Sequence, residues 1–322
     1  MNINRDLNDL EGMDFRHLPV MADQVIKALD IKEKGFYVDC TAGGGGHTKR
    51  ILSCLGPKGQ ILALDRDNDA FRHLEKKFES DNRVSVMCKS FFKLEEIFEK
   101  LGFSSADGFL FDLGVSSYQL DSAHRGFSFL KKGPLDMRMD QENGITAADI
   151  VNTWPEKRIA ELFRVNGEER HAKLIARRIA ERREEKEFTD TLDLAQFIES
   201  RMPGKRPDQR IHPATRCFQA LRIEVNQELS CLESSIRQAV GLLKTGGRIG
   251  VITFHSLEDR IVKRTFRDLT GVCKCPPELP ICVCKCSQTV KLLNRKALKP
   301  DQAETALNPR SRSAKFRGAI KV

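Results

Sequence analysis

Tyr37-Val38-Asp39-Cys40-Thr41-Ala42-Gly43-Gly44-Gly45-Gly46-His47-Thr48 decides how the rest of the chain is read. The segment Phe36-Tyr37-Val38 is aromatic and β-branched, which predicts a buried strand. Four glycines follow, and Ile51, Leu52 and Leu55 then recur at helical spacing. Strand, glycine loop and helix make the first turn of a nucleotide-type α/β fold. Glycine suits that turn because a Cβ would hold the backbone away from a ligand. The N–H groups that open the helix favour an anionic or carboxylate-bearing group. A merely flexible turn is the plain alternative.

The next strand-like run, Gln60 to Leu64, ends in Asp65, twenty positions after Gly45. An acid there stands where the ribose hydroxyls of an adenosine cofactor can be bound; a surface acid within Asp65-Arg66-Asp67 is the alternative. NAD and S-adenosylmethionine sites share this much geometry. The loop reads Gly43-x-Gly45-x-x-Thr48, so the third glycine of the dinucleotide fingerprint is missing. That counts against NAD.

Working outward, Val25, Ile26 and Leu29 predict a short leading helix. Helices at Ala70 to Phe78 and Leu94 to Leu101 alternate with strands at Val84 to Met87 and Gly108 to Phe111. Such alternation implies a parallel sheet that binds its ligand at the carboxyl ends of the strands. Asp39, Asp65 and Asp112 all fall at or near such ends. From about Met137 the pattern changes to four helical stretches: Ile145 to Val151, Pro155 to Phe163, Ala172 to Arg183 and Leu192 to Met202. Arg177, Arg178, Arg182 and Arg183 crowd one of them, interleaved with acids. This reads equally as local ion pairs or as an RNA-facing surface. A turn-rich basic linker at 202–207 closes the block. Apolar spacing from Phe218 to Leu243 then predicts one or two long helices, Thr245-Gly246-Gly247 a turn, and Arg248 to Phe254 a buried strand. The fold class is therefore α/β, a Rossmann-like sheet interrupted by an all-helical insertion. Residues 1–136 and 213–322 form the two parts of the sheet domain, and 137–212 the insert.

At 322 residues, 40% hydrophobic and 31% charged, the chain can build one large core and a smaller unit. No run approaches the ~18 apolar residues of a membrane span. The charged N-terminus lacks a signal-peptide core, which predicts a cytoplasmic protein. Net charge is +9, and Lys285 to Val322 carries ten Lys/Arg against two acids. A basic tail beside a nucleotide-type fold points to nucleic acid, with a solubilising end as the alternative. Five of the ten cysteines (Cys273, Cys275, Cys282, Cys284, Cys286) cluster around Pro276-Pro277. They offer zinc ligands, although Cys-x-Cys pairs are not the usual knuckle spacing.

Methyl transfer to an exocyclic amine needs alignment and polarisation more than a strong base. Base-directed amino-methyltransferases carry a short acid- or Asn-led turn after strand four. Asp112-Leu113-Gly114-Val115 holds that position without the usual Pro-Pro-aromatic, so Asp112 is the catalytic candidate. Phe127, Phe129 and Phe254 are candidates to stack on a base.

Several longer motifs carry a family resemblance. They are His17-Leu18-Pro19-Val20, Thr41 to Thr48, Asp112-Leu113-Gly114-Val115-Ser116-Ser117, Arg125-Gly126-Phe127-Ser128-Phe129, Gly133 to Met139, Phe218 to Asn226 and Phe254 to Arg260. Over about Arg16 to Arg317 the chain resembles the MraW/RsmH family. That resemblance implies a bacterial enzyme that uses S-adenosylmethionine to methylate N4 of a decoding-centre cytidine of 16S rRNA within the small ribosomal subunit. It also implies a methyltransferase sheet with an inserted helical domain. The cofactor residues carried over by motif are Gly45, Gly46, His47, Asp65, Phe91, Asp112 and Gln119. The resemblance puts Asp112 on the cofactor, and the direct reading puts it on the target amine. A homodimer is compatible with the sequence. An NAD-type oxidoreductase and a non-catalytic RNA-binding module with a vestigial pocket are the competing readings.

Overall fold

The computed structural model describes residues 19–201, 212–273, 275 and 287–322. His17-Leu18, the linker at 202–207 and Cys282, Cys284 and Cys286 lie outside the described residues. After α1 (Ala22–Leu29) the chain alternates through β1 (Phe36–Asp39), α2 (Gly46–Leu52), β2 (Gln60–Asp65), α3 (Asn68–Phe78), β3 (Val84–Cys88), α4 (Leu94–Leu101), β4 (Ala106–Asp112) and a short α5 (Ser117–Asp121). Five helices follow: α6 (Ala147–Thr153), α7 (Glu156–Val165), α8 (Ala172–Arg183), α9 (Thr191–Arg201) and α10 (Thr215–Val225). The sheet then resumes with α11 (Leu232–Leu242), β5 (Leu243–Thr253), α12 (Ser256–Leu269), β6 (Val290–Leu292), α13 (Gln302–Leu307) and β7 (Lys315–Lys321).

All seven strands join one sheet in the order β3-β2-β1-β4-β5-β7-β6. The pairs from β3 to β5 are parallel, and β7 runs antiparallel between β5 and β6. Because side chains alternate across a strand, each of these strands feeds two cores. Val38, Leu62, Phe109, Phe111 and Val251 pack with α4, α11 and α12, whereas Tyr37, Ile61, Leu110 and Ile252 pack with α1, α2 and α3. The strand order reverses at β1, which is flanked by β2 and β4. A crevice therefore opens over the carboxyl ends of these three strands.

Two expectations need correction. The turn expected at Thr245-Gly246-Gly247 lies inside β5, as an irregularity. Ala106 pairs with Leu243 but Gly108 pairs with Arg248, and Gly246 takes φ +80°. The tail is also more than a basic extension, since its last residues are β7, with Phe316 and Ala319 buried. Several of its charges are held internally: Lys315 and Arg317 pair with Asp259, and Lys321 Nζ donates to the carbonyls of Gly241 and Leu243.

The helical block has its own core, running from Leu135 through Phe163, Ile175 and Ile198 to Phe218 and Leu221, so α10 packs with it. On α8, Arg182 pairs with Asp193, Arg183 donates to the carbonyls of Val151 and Trp154, and Arg177 and Arg178 reach Glu181. All four arginines have internal partners, as the ion-pair reading expects.

Candidate active site

The crevice is a cavity of about 760 Å³. Gly46, His47, Asp65, Phe91, Asp112 and Gln119 line it together, as do Gly43, Gly44, Arg66, Phe92, Gly114, Arg222, Glu228, Phe254 and Glu258. Of the seven expected cofactor residues only Gly45 stands behind the wall. It holds φ +75°, and a Cβ there would meet Leu74 and Phe78 at 2.9 Å. Its glycine is required by the packing of α3. At Gly43 (φ +50°) a Cβ would have only Thr41 O and Ser116 Cβ near it, at 3.9 and 4.0 Å, so it would occupy the space where a ligand approaches.

Asp65 is half-buried where β2 ends. Its Oδ2 accepts from Gly43 N at 2.8 Å and its Oδ1 from Asp67 N at 2.9 Å. Burial, reinforced by the charge of Asp67, outweighs these bonds and pushes its carboxyl up to about 6. One side chain thus ties the glycine loop to the loop after β2. Asp39, fully buried at the end of β1, accepts from Thr48 Oγ1 at 2.7 Å and braces the start of α2.

Asp112 ends β4, and its N–H donates to Thr41 Oγ1 at 2.7 Å. Its Oδ2 lies 3.5 Å from His47 Nε2, while its Oδ1 is buried without a hydrogen-bond partner among the described residues. Burial disfavours a charged His47, but Asp112, Asp39 and Glu304 outweigh it and hold the imidazole above its ordinary range. An orphaned carboxylate oxygen facing a cavity suits a ligand that brings a donor.

Phe91 meets Phe92 and Phe111 edge-on, at 5.1 and 5.3 Å between centroids, and Arg66 lies 5.5 Å above Phe92. Gln119 is committed to structure as well: its Oε1 caps α5 at Ser116 N, and its Nε2 donates to Asp67 at 2.7 Å. Of the three candidate stacking rings only Phe254 lines the cavity. Phe127 is buried elsewhere, and Phe129 packs on His212 and Phe218 of the helical core.

Sequence reasoning missed the groups that bind the helical block to this floor. Arg125 is fully buried and donates to Asp67 at 2.8 Å, to Asp69 at 3.0 Å and to the carbonyls of Arg138 and Met139. Asn226 accepts from Arg66 and from Met139 N, and it donates to Met137 O. Glu228, His255 and Glu258 bring ligand atoms within 4.8 Å of one another, as a divalent cation would need. Arg222, however, already engages both oxygens of Glu228, and Glu258 Oε2 accepts from the backbone N–H groups of Phe254 and His255. Glu228 and Glu258 thus hold protein partners, whereas neither ring nitrogen of His255 makes a hydrogen bond among the described residues, its Nε2 lying 3.1 Å from Glu258 Oε1. Burial opposes charge on Glu258, but His255, Arg222 and the Phe254 N–H together hold its carboxyl below the usual range. In the sequence Arg125, Arg222, Asn226, His255 and Glu258 are marked only by their places in the motifs at Arg125 to Phe129, Phe218 to Asn226 and Phe254 to Arg260, and Glu228 lies in none of them.

A doubly wound sheet with an acid ending β2 and an acid-led turn after β4 is the plan of a class I, Rossmann-like methyltransferase. The chain belongs to the MraW methylase family, whose model matches residues 14–322. It is 48% identical over 311 residues to ribosomal RNA small subunit methyltransferase H of Carboxydothermus hydrogenoformans, covering 96% of this chain and 99% of that one. It is 47% identical over 311 residues to the protein of that name from Syntrophobacter fumaroxidans, covering 96% and 98%. With that from Clostridium botulinum (strain Loch Maree) it shares 44% over 310 residues, covering 96% and 100%. The chain is a methyltransferase of the kind that uses S-adenosylmethionine. Among the described residues no helix is long and apolar enough to cross a membrane.

Proposed function

We propose that this methyltransferase acts on small-subunit ribosomal RNA, within the 16S molecule, at the exocyclic N4 of a decoding-centre cytidine. The observation that carries the reading is Asp112. It stands where β4 ends, with Oδ2 toward His47 and a buried, unpartnered Oδ1 on the cavity wall beside Gly114 and Phe254.

The cavity's residues fit S-adenosylmethionine, whose sulfonium supplies an already activated methyl group. Asp65 would accept from the ribose hydroxyls, and the N–H groups at Gly46 and His47 would face its carboxylate. Phe91 would flank the adenine. On the target side Phe254 would stack against the base, while Asp112 Oδ1 accepts a hydrogen bond from the amino group. That bond would orient the amino group and give its departing proton an acceptor. His47 opposite Asp112 Oδ2 keeps the carboxylate in place. Gly45 belongs to the fit through the shape of the loop and Gln119 through Asp67.

Incubating the purified chain and labelled cofactor with small subunits lacking the modification, then analysing rRNA nucleosides by mass spectrometry, tests this. N4-methylcytidine is expected. Label on another base, or on no base, would overturn it.

A further inference from the structure

Arg222 lies in the last turn of α10, and Asn226, four residues on, caps that helix. Asn226 is used up in joining Arg66, Met137 and Met139. Arg222 is only half used: Nε and Nη2 grip the two oxygens of Glu228 at 2.9 and 2.8 Å. Glu228 is brought back onto Arg222 by a tight reversal after α10, in which Gln227 takes φ +52° and Glu228 N donates to Ile223 O. A non-glycine residue in that region marks a turn held by its surroundings. The remaining amino group, Nη1, has no hydrogen-bond acceptor among the described residues, and Arg222 lines the cavity. Glu228, Glu258 and Phe254 line the same cavity. The Phe254 ring would lie 3.4 Å from a Cβ at Gly114, in the turn that Asp112 leads.

One cavity is therefore lined by an anionic acceptor, Asp112, a clamped cationic donor, Arg222, and the ring of Phe254. A cytosine presents an N4 amino donor next to ring N3 and O2, both acceptors. A uracil presents the reverse at the first two positions, O4 accepting and N3 donating. We propose that Arg222, fixed by Glu228, donates from Nη1 to the N3–O2 edge of the flipped base and so makes this wall select cytosine over uracil. Donor and acceptor then match cytosine, whereas uracil would set its N3–H against a guanidinium and its O4 against a carboxylate. A site built around such polar pairing rejects the mismatched base more strongly than an apolar slot can. The inference rests on the cytidine reading above, and the test separates the two.

Small subunits reconstituted with cytidine or 3-deazacytidine at the target differ only in ring N3, which becomes C–H in the second. In single-turnover assays the wild-type chain should methylate the deaza substrate about 10–100-fold more slowly. Arg222→Gln should be slow on both and show a ratio near one. Its affinity for S-adenosylhomocysteine by calorimetry should stay within about threefold of wild type, in keeping with a contact made to the base. Equal wild-type rates on the two substrates would overturn the inference without any variant, so a misfolded Arg222→Gln does not remove the test. A wild-type ratio retained in Arg222→Gln would also overturn it. So would a loss of cofactor affinity as large as the loss of rate, which would place Arg222 on the adenine. Failure of the wild type to methylate unmodified cytidine would instead bring down the cytidine reading, and this inference with it.

Discussion

Replacing Asp65 with asparagine should uncouple what the folded chain pays for this carboxylate from what the carboxylate does. Burial raises Asp65 from 3.8 to about 6, so the folded chain holds this proton to higher pH than the unfolded chain. Its contribution to stability is complete below pH ~4 and is lost as pH rises through about 6. A shift of that size corresponds to about 3 kcal/mol in all, of which about 1.4 kcal/mol falls between pH 5 and pH 7.5. Asparagine does not titrate. Urea midpoints should therefore show the wild type losing about 1.4 kcal/mol relative to Asp65→Asn over that interval, with all other titrating groups cancelled in the difference.

Cofactor binding should run the opposite way. At pH 5 only about a tenth of the free wild-type chain carries the ionised carboxylate that a ribose diol prefers, so S-adenosylmethionine should bind about tenfold more weakly than at pH 7. Asp65→Asn should bind about 10–100-fold more weakly at pH 7, with the wild-type slope flattened. Calorimetry at pH 5, 6 and 7 measures both chains. A wild-type affinity that does not change over this range would refute the reasoning, since either the carboxylate is not at the ribose or its proton does not matter to binding.

Asp112→Ala should cut the single-turnover rate by ~10–1000-fold at saturating cofactor, more than Asp65→Ala does; full recovery as cofactor is raised would leave Asp112 a binding residue only. Arg125→Met removes a fully buried cation from Asp67 and Asp69 and should destabilise the chain by about 3–5 kcal/mol in urea titrations; an unchanged midpoint would mean that the pair is not formed. Truncation from Leu307 deletes β7 and should abolish cooperative unfolding, so it cannot report on RNA binding by itself. The exposed charges before that strand can be removed singly. Arg310→Ala should make the slope of log affinity for small subunits against log salt shallower by about one if Arg310 meets a phosphate, and an identical slope would take it off the RNA.

Much of this arrangement was readable because parallel strands are buried on both faces and so appear as short apolar runs. Ile61-Leu62-Ala63-Leu64 and Phe109-Leu110-Phe111 could be little else, and the acid that stops each run marks its carboxyl end. Once the glycine loop orders the strands, Asp65 and Asp112 fall on the crevice rim without knowledge of any contact. The end of the chain was less readable because its charges masked its alternation. Lys315-Phe316-Arg317 puts a buried ring between two cations that both pair with Asp259. Arg125 and Asp67 lie 58 positions apart, and Arg66 and Asn226 lie 160 apart. No local period links such pairs, so tertiary packing alone brings them together.

Those long-range pairs also say why the helical block is inserted here and not appended at an end. The chain leaves the sheet domain after α5 and returns through α10, and both junctions are tied to the one loop that follows β2. Arg125, just past α5, holds Asp67 and Asp69 together with the carbonyls of Arg138 and Met139. Asn226, just past α10, takes Arg66 through its carbonyl at 2.8 Å and its side-chain oxygen at 2.6 Å, and it spans Met137 and Met139. Arg66 and Asp67 immediately follow Asp65, whose carboxylate in turn holds Gly43 N. A shift of either junction would therefore strain charged hydrogen bonds that lead within two residues to Asp65 and the glycine loop. Breaking one partner of such a pair costs several kcal/mol, far more than the thermal energy of about 0.6 kcal/mol. The helical block is thus held in register with the floor of the crevice, and Arg222, on α10, is carried to the cavity by the same anchorage.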